Sequence, residues 1–180
     1  EIETGVSAAG NEDRIGTSMN VVSPRFFRTL GIDLLAGREF SAADRDGAPP
    51  VAIVNLRLAE RLWPGMNAVG QRIAVLGESR EVVGLVADAK YGNVTDDVEP
   101  QVFVPRRQLT TLGSVSFYVA SARRPRDIMN AVEETVFRAD PNVPITNLQT
   151  MRQQLHENLA TERFVARAGT AFAVLATVLA

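Results

Sequence analysis

The chain has no cysteine among its 180 residues and a single histidine, His156. The first absence excludes disulfides, thiolate metal sites and cysteine nucleophiles. The second excludes any site that needs two imidazoles. Charge is nearly balanced, with 19 basic and 21 acidic side chains and a net charge of −2, so no surplus exists to neutralise phosphates and no nucleic-acid partner is expected. Lysine is almost missing as well: Lys90 stands alone beside 18 arginines. What is present is globular composition, with 46% hydrophobic and 22% charged residues, which rules out general disorder. A chain this long makes one or two domains and needs no covalent staple.

Motifs for common chemistry are absent too. No phosphate loop occurs, no G-x-G-x-x-G follows a strand, and no G-x-S-x-G elbow is present. Asp44-Arg45-Asp46-Gly47 resembles half of a calcium loop. Such a loop needs a glutamate six residues past its glycine, and Ile53 stands there. A surface loop is the reading. His156, between Leu155 and Glu157, reads as a solvated helix residue, and Asp96, Asp97 and Glu99 as a solvated acidic loop. Asp88, near Lys90 and Tyr91, reads as capping a strand. No catalytic constellation assembles, so the chain is not expected to be an enzyme, and no cofactor or metal is expected.

Periodicity sets the expected order of elements. Residues 1–16 read as an irregular lead-in, and 17–22 as a strand. Ser23-Pro24 supplies an N-cap and a proline at the first helical position, opening a short helix with Phe26, Phe27 and Leu30 on one side and Gly31 at its end. Strands follow at 32–35 and 51–54, and Asn55 caps a helix with Leu58, Ala59 and Leu62 as its apolar stripe, stopped by Trp63-Pro64-Gly65. Residues 72–76 and 80–86 form a hairpin across Gly77-Glu78-Ser79, and 102–104 another strand. Later, 115–119 alternates as a half-buried strand, and 125–139 is a helix with Ile128, Val132 and Val136 as the buried stripe. Asp140-Pro141 ends that helix, and 143–146 returns as a strand. Thr150 and Gln153 form a capping box ahead of a helix carrying Met151, Leu155 and Leu159 on one line. The expectation is an α+β fold in which βαβ units, packed as sheet against helices, flank a mixed insert.

Residues 168–180 contain no charge over thirteen positions. At about 1.5 Å per residue this helix would cover roughly 20 Å, short of the roughly 30 Å of a bilayer core. Two readings stand: a buried terminal core helix, or the first part of a membrane helix that continues past residue 180. In the second, Arg163 and Arg167 would reach to the lipid interface.

Taken together, the stretches at 20–40 (NVVSPRFFRTLGIDLLAGREF), 49–65 (PPVAIVNLRLAERLWPG), 68–73 (AVGQRI), 81–91 (EVVGLVADAKY), 101–105 (QVFVP) and 140–151 (DPNVPITNLQTM) resemble the MacB-type periplasmic core domain. Their order and spacing carry the likeness, and the wording is nearest the orphan permeases of that family. The resemblance implies an extracytoplasmic domain of an ABC transporter permease in the inner membrane, two-lobed, set between the first and second membrane helices. It implies a discontinuous porter-like subdomain, 1–40 with 109–160, an inserted mixed α/β subdomain, 41–108, and a membrane-proximal segment, 161–180. Cytoplasmic ATP hydrolysis would then be coupled mechanically to movement of a periplasmic substrate. Met151, Leu155 and Leu159 would dock the connecting helix, with Arg163, Phe164 and Arg167 at the membrane junction. Implied partners are a cytoplasmic ATP-binding subunit and a periplasmic adaptor or second permease copy. The alternative function is an extracytoplasmic ligand-binding or sensing module, which calls for a deep pocket lined by aromatic and convergent polar groups.

Overall fold

The computed structural model describes residues 2–8, 14–89, 98–109 and 116–153. Contacts divide the chain into two compact units, Glu1–Ala89 with Asp97–Ala120, and Lys90–Asp96 with Ser121–Ala180.

The first unit holds a seven-stranded sheet. Its strands are β1 (Ile2–Ala8), β2 (Ile15–Val22), β3 (Leu34–Gly37), β4 (Val51–Asn55), β5 (Arg72–Val75), β6 (Glu78–Val86) and β7 (Gln101–Pro105), in the order β3-β6-β4-β7-β2-β1-β5. Strand β5 also pairs with β6, so the ring β1-β2-β7-β4-β6-β5 closes on itself. The length of β6 permits this. Along one edge its first half pairs with β5 (Ile73 opposite Arg80) and its second half with β3 (Gly37 opposite Gly84). Closure leaves β3, paired only with β6, as the strand outside the ring.

Alternation along the strands then fills two layers. Inside the ring lie Val6, Met19, Ala52, Val54, Ile73, Val75, Val82, Val102 and Val104. Helix α2 (Leu56–Leu62) adds Leu58 and Ala59 to this cluster, and Trp63 just past its end joins them. Ile53 and Phe103, opposite each other in register, point the other way. Helix α1 (Phe26–Leu30) lies against that outer face, with Phe27 edge-on to Phe103 at 4.9 Å and Phe26 edge-on to Tyr118 at 5.9 Å.

Much of the expected order holds, in a mixed α/β fold of one sheet with several helices. Several boundaries move for identifiable reasons. The irregular lead-in is in part strand β1, paired antiparallel with β2. Its alternation of Thr4, Val6 and Ala8 is short and broken by Gly5, but Val6 is fully buried. Ser23 does not cap α1 through its side chain. The helix starts only at Phe26, whose N–H donates to the Ser23 carbonyl, after Arg25 turns the chain at φ 70. Strand β3 sits two residues later than expected, and its register on β6 shifts between Leu34 and Ala36. Gly37 then passes so close to β6 that a Cβ there would lie 2.2 Å from the Val83 carbonyl oxygen, at a φ of 74. The segment 116–120 belongs to no described strand and is exposed throughout, with the Tyr118 ring against Phe26. Phe117, expected on the buried face, is 86% exposed. Strand β6 pairs with both β3 and β4, so these strands share one sheet.

In the second unit, α3 spans Pro125–Ala139 with proline in its first turn, as expected. Its stripe of Ile128, Val132 and Val136 is half-buried rather than buried, and residues 143–146 are not strand. The Asp140 carboxylate instead accepts from the Asn142 N–H, turning the chain away from the helix.

The β5–β6 hairpin turns through Leu76 and Gly77, at φ 54 and 81, rather than through Gly77-Glu78-Ser79. Two successive positive φ values suit Asn-Gly, whereas leucine in the left-handed region is strained. Leu76→Asn is therefore expected to stabilise the domain by roughly 1 kcal/mol, read as a raised urea midpoint at unchanged slope. A lowered midpoint would mean that Leu76 makes contacts within the fold that outweigh its strain.

Candidate functional site

The chain's least expected side chain is Arg80, only 2% exposed. It stands on β6 in phase with Val82, so the pleat carries it to the buried side. A buried guanidinium needs partners for its donors. One terminal nitrogen donates to the Gln108 side-chain oxygen at 3.0 Å and to the Val51 carbonyl at 3.4 Å, and the other to the Glu78 carboxylate. Gln108 ends the single 3-10 turn after β7, Arg106–Gln108. Its oxygen also accepts from the Val51 N–H, and its amide donates to the Pro49 carbonyl. One amide thereby ties β4, β6 and the end of β7. Burial pulls the Arg80 pKa down, and the charge of Glu78 opposes that shift.

Beside this node lies a cavity of about 240 Å³, walled by residues 45–48, Pro50, Glu78 and Gln108. Its walls are turn backbone and polar side chains, without an aromatic ring. The loop that forms one wall is held by a second ion pair. Arg38 grips Asp44 through both guanidinium nitrogens at 2.8 Å, and the Ser41 N–H donates to the same carboxylate at 2.7 Å. Asp44 is 5% exposed. The hydrogen bond from Arg38 is the main cause holding its carboxyl below the ordinary range, partly opposed by burial. A depressed folded pKa means that this stabilisation is full above about pH 4 and fades as pH falls through the folded value. Because Arg38 is half exposed, the contribution is discounted to roughly 1 kcal/mol. The stability difference between the wild type and Asp44→Asn is accordingly expected to shrink as pH falls below about 4 in urea melts. A constant difference would remove the ion pair from the account.

Other residues singled out in the sequence serve the scaffold. Asp88 accepts from the Arg57 N–H at 3.0 Å and so caps α2. Glu99 accepts from the Ser18 hydroxyl at 2.8 Å, and its carbonyl from the Asn55 amide at 2.9 Å. Among the described residues no group of three or more His, Asp or Glu is placed to hold a metal. Thr150 Oγ1 accepts from the Gln153 N–H at 3.2 Å, one half of the expected capping box. Met151, on the turn it caps, is 49% exposed. Leu155, Leu159, Arg163, Phe164 and Arg167 lie outside the described residues, as do His156, Lys90, Tyr91, Asp96 and Asp97. So does the apolar run 168–180. Among the described residues no helix is long and apolar enough to cross a membrane.

Sequence reasoning missed the Arg80 node and the Arg38–Asp44 grip. The first left a signal: an arginine in step with Val82 on a strand whose second half, Val82–Val86, is apolar. The second left little, since Arg38 and Asp44 meet through a turn of no fixed pattern.

Comparison places this geometry among known proteins. The model of the MacB-like periplasmic core domain matches residues 1–155. Over 77 residues, 42% of this chain, the sequence is 35% identical to the probable syringafactin export ATP-binding/permease protein SyfD of Pseudomonas syringae pv. tomato. The match spans only 12% of that relative. The fold resembles the periplasmic region of MacB from Actinobacillus actinomycetemcomitans at a TM-score of 0.59 and 13% identity, covering 77% of this chain and 63% of that one. It also resembles a permease-protein domain from Porphyromonas gingivalis at a TM-score of 0.53 and 14% identity, covering 85% and 77% of the two chains.

Proposed function

Because this chain belongs to the MacB-like periplasmic core domain family, and is thus an extracytoplasmic domain of an ABC-type transporter permease, we propose that it transmits motion from cytoplasmic ATP hydrolysis to a substrate or partner outside the membrane. The family match over residues 1–155 carries this reading, and the export role named for the Pseudomonas relative supports an outward direction. The moving element is the helix that opens at the Thr150 cap and runs towards the apolar segment 168–180. A helix is stiff enough to act as a lever, provided the nucleotide state favours one of two arrangements of the domain. Met151, Leu155 and Leu159 dock the lever, while Arg163, Phe164 and Arg167 sit at the lipid surface of the inner membrane. The ATP-binding subunit, and a periplasmic adaptor or a second permease copy, complete the machine. A ligand-sensing role gains no support from the cavity beside Arg80, whose walls lack aromatic rings.

The lever is tested in the full-length natural chain. Glycines in place of Thr161 and Glu162 remove roughly 1 kcal/mol of helix propensity in all, because threonine is itself a weak helix former. Substrate export is expected to fall at least about tenfold while ATP binding is retained, the fold-change corresponding to about 1.4 kcal/mol lost in coupling. Unchanged export with unchanged stimulated ATPase activity would rule the lever out.

A further inference from the structure

Among the described residues, the non-glycine residues at a left-handed φ are Arg25, at 70, and Leu76, at 54, and both lie at one end of the ring. Register places them there. Val22, which ends β2, stands opposite Pro105, which ends the parallel strand β7. Arg25 on one side, and Arg106 and Arg107 on the other, therefore emerge at the same end. Gln108, just beyond, bonds Arg80 near the start of β6, so the tip of the β5–β6 hairpin with Leu76 reaches that end too. The three arginines are exposed, and among the described residues none joins an ion pair or donates a side-chain hydrogen bond. Asp46 stands in a loop at this end, beside Arg45, and Glu78 is engaged by Arg80. Leu76 is 55% exposed. Backbone strain at exposed side chains points to a use outside the fold. An apolar tip on the same rim as unpaired arginines suits an anionic lipid surface, which takes an apolar side chain at its acyl boundary and cations at its headgroups.

We propose that this end of the ring rests on anionic lipid headgroups, with Leu76 at the acyl boundary and Arg25, Arg106 and Arg107 on the lipid phosphates. The topology agrees. Ile2, at the start of β1, pairs with Met19 near the end of β2, so the chain enters the ring at this end. The inference rests on the proposed function, in which a membrane helix leads into β1 and holds the domain near the bilayer. Each arginine alone is a weak contact, and the tether supplies the effective concentration that makes the set sufficient.

The test uses the full-length natural chain in vesicles of phosphatidylcholine, with and without phosphatidylglycerol. This stretch has no cysteine, so Leu76→Cys can carry a nitroxide label once any cysteine elsewhere in the chain is replaced. The control is Leu56→Cys, an exposed position just past the opposite end of β4. With phosphatidylglycerol present, the label at position 76 should meet dissolved oxygen, which concentrates in lipid, in preference to a water-soluble nickel chelate. The label at position 56 should show the reverse preference. Omitting phosphatidylglycerol, or introducing Arg106→Glu with Arg107→Glu, should lower the lipid-contacting population at least about tenfold, the scale set by two arginines at a charged surface. A label at position 76 that matches the control, is shielded from both reagents by protein, or ignores the lipid and charge changes overturns the contact. The proposed function then stands, provided the chain floats with the vesicles. If the full-length chain does not float with them, both fall.

Discussion

Asn55→Ala is expected to destabilise the domain by about 3 kcal/mol, far more than an ordinary helix cap. The side chain is fully buried at the junction of β4 and α2. Its oxygen accepts from the Leu58 N–H at 3.1 Å, capping α2, and also from the Gln101 N–H at 2.8 Å on β7. Its amide nitrogen donates to the Glu99 carbonyl. Removing the cap alone costs about 1 kcal/mol. Truncation also leaves the Gln101 N–H and the Glu99 carbonyl without their partner, at about 1–3 kcal/mol for a buried group. Asn55→Ser keeps a capping oxygen on a shorter arm and should recover about a third of the loss. Urea midpoints of the two variants decide the matter. Equal losses would show that the cap contributes nothing beyond the link to β7.

Asn55 also shows how far a sequence can be read. Its role as N-cap follows from local spacing, since an asparagine ahead of a 3.6-period stripe has few other uses. Its bonds across to β7 do not follow, because Gln101 is 46 residues away and nothing local marks it. The same division runs through the fold. Helices α2 and α3 and strand β4 were legible from stripes, caps and proline. The closed ring was not, since it depends on β6 being long enough to serve β5 and β3 on one edge. Segment 116–120 misled for a related reason. Alternation marks a half-buried strand only where a partner covers one face, and here residues 116–120 are all exposed, Tyr118 still at 40% although its ring meets Phe26. At the Arg80 node, phase on β6 was visible but the partners Gln108 and Val51 were not, because they arrive from distant elements. The family resemblance, by contrast, was fully legible, because it rests on many short stretches in order rather than on any contact.

The largest loss of all is expected at Phe103, which joins the two layers of the first unit. It is 1% exposed, lies on β7 opposite Ile53, and receives Phe27 edge-on at 4.9 Å. Its neighbours Val102 and Val104 face the ring interior, so a single strand holds both layers. Phe103→Ala opens a cavity under α1 and is expected to cost 3–5 kcal/mol, a large part of the stability of a typical domain. Phe103→Leu retains most of the volume but loses the edge-to-face contacts, and should cost about 1–2 kcal/mol. The chain's single tryptophan makes the measurement discriminating. Trp63 packs in the ring interior, away from the aromatic layer, so its fluorescence reports unfolding of the ring. If both layers form one cooperative unit, Phe103→Ala must shift the Trp63 transition by the full amount. A Trp63 transition left in place, with only the helix signal weakened, would mean that α1 and its phenylalanines detach without disturbing the ring. The outer layer would then be a separately melting cover, and β7 would not transmit strain between the two faces.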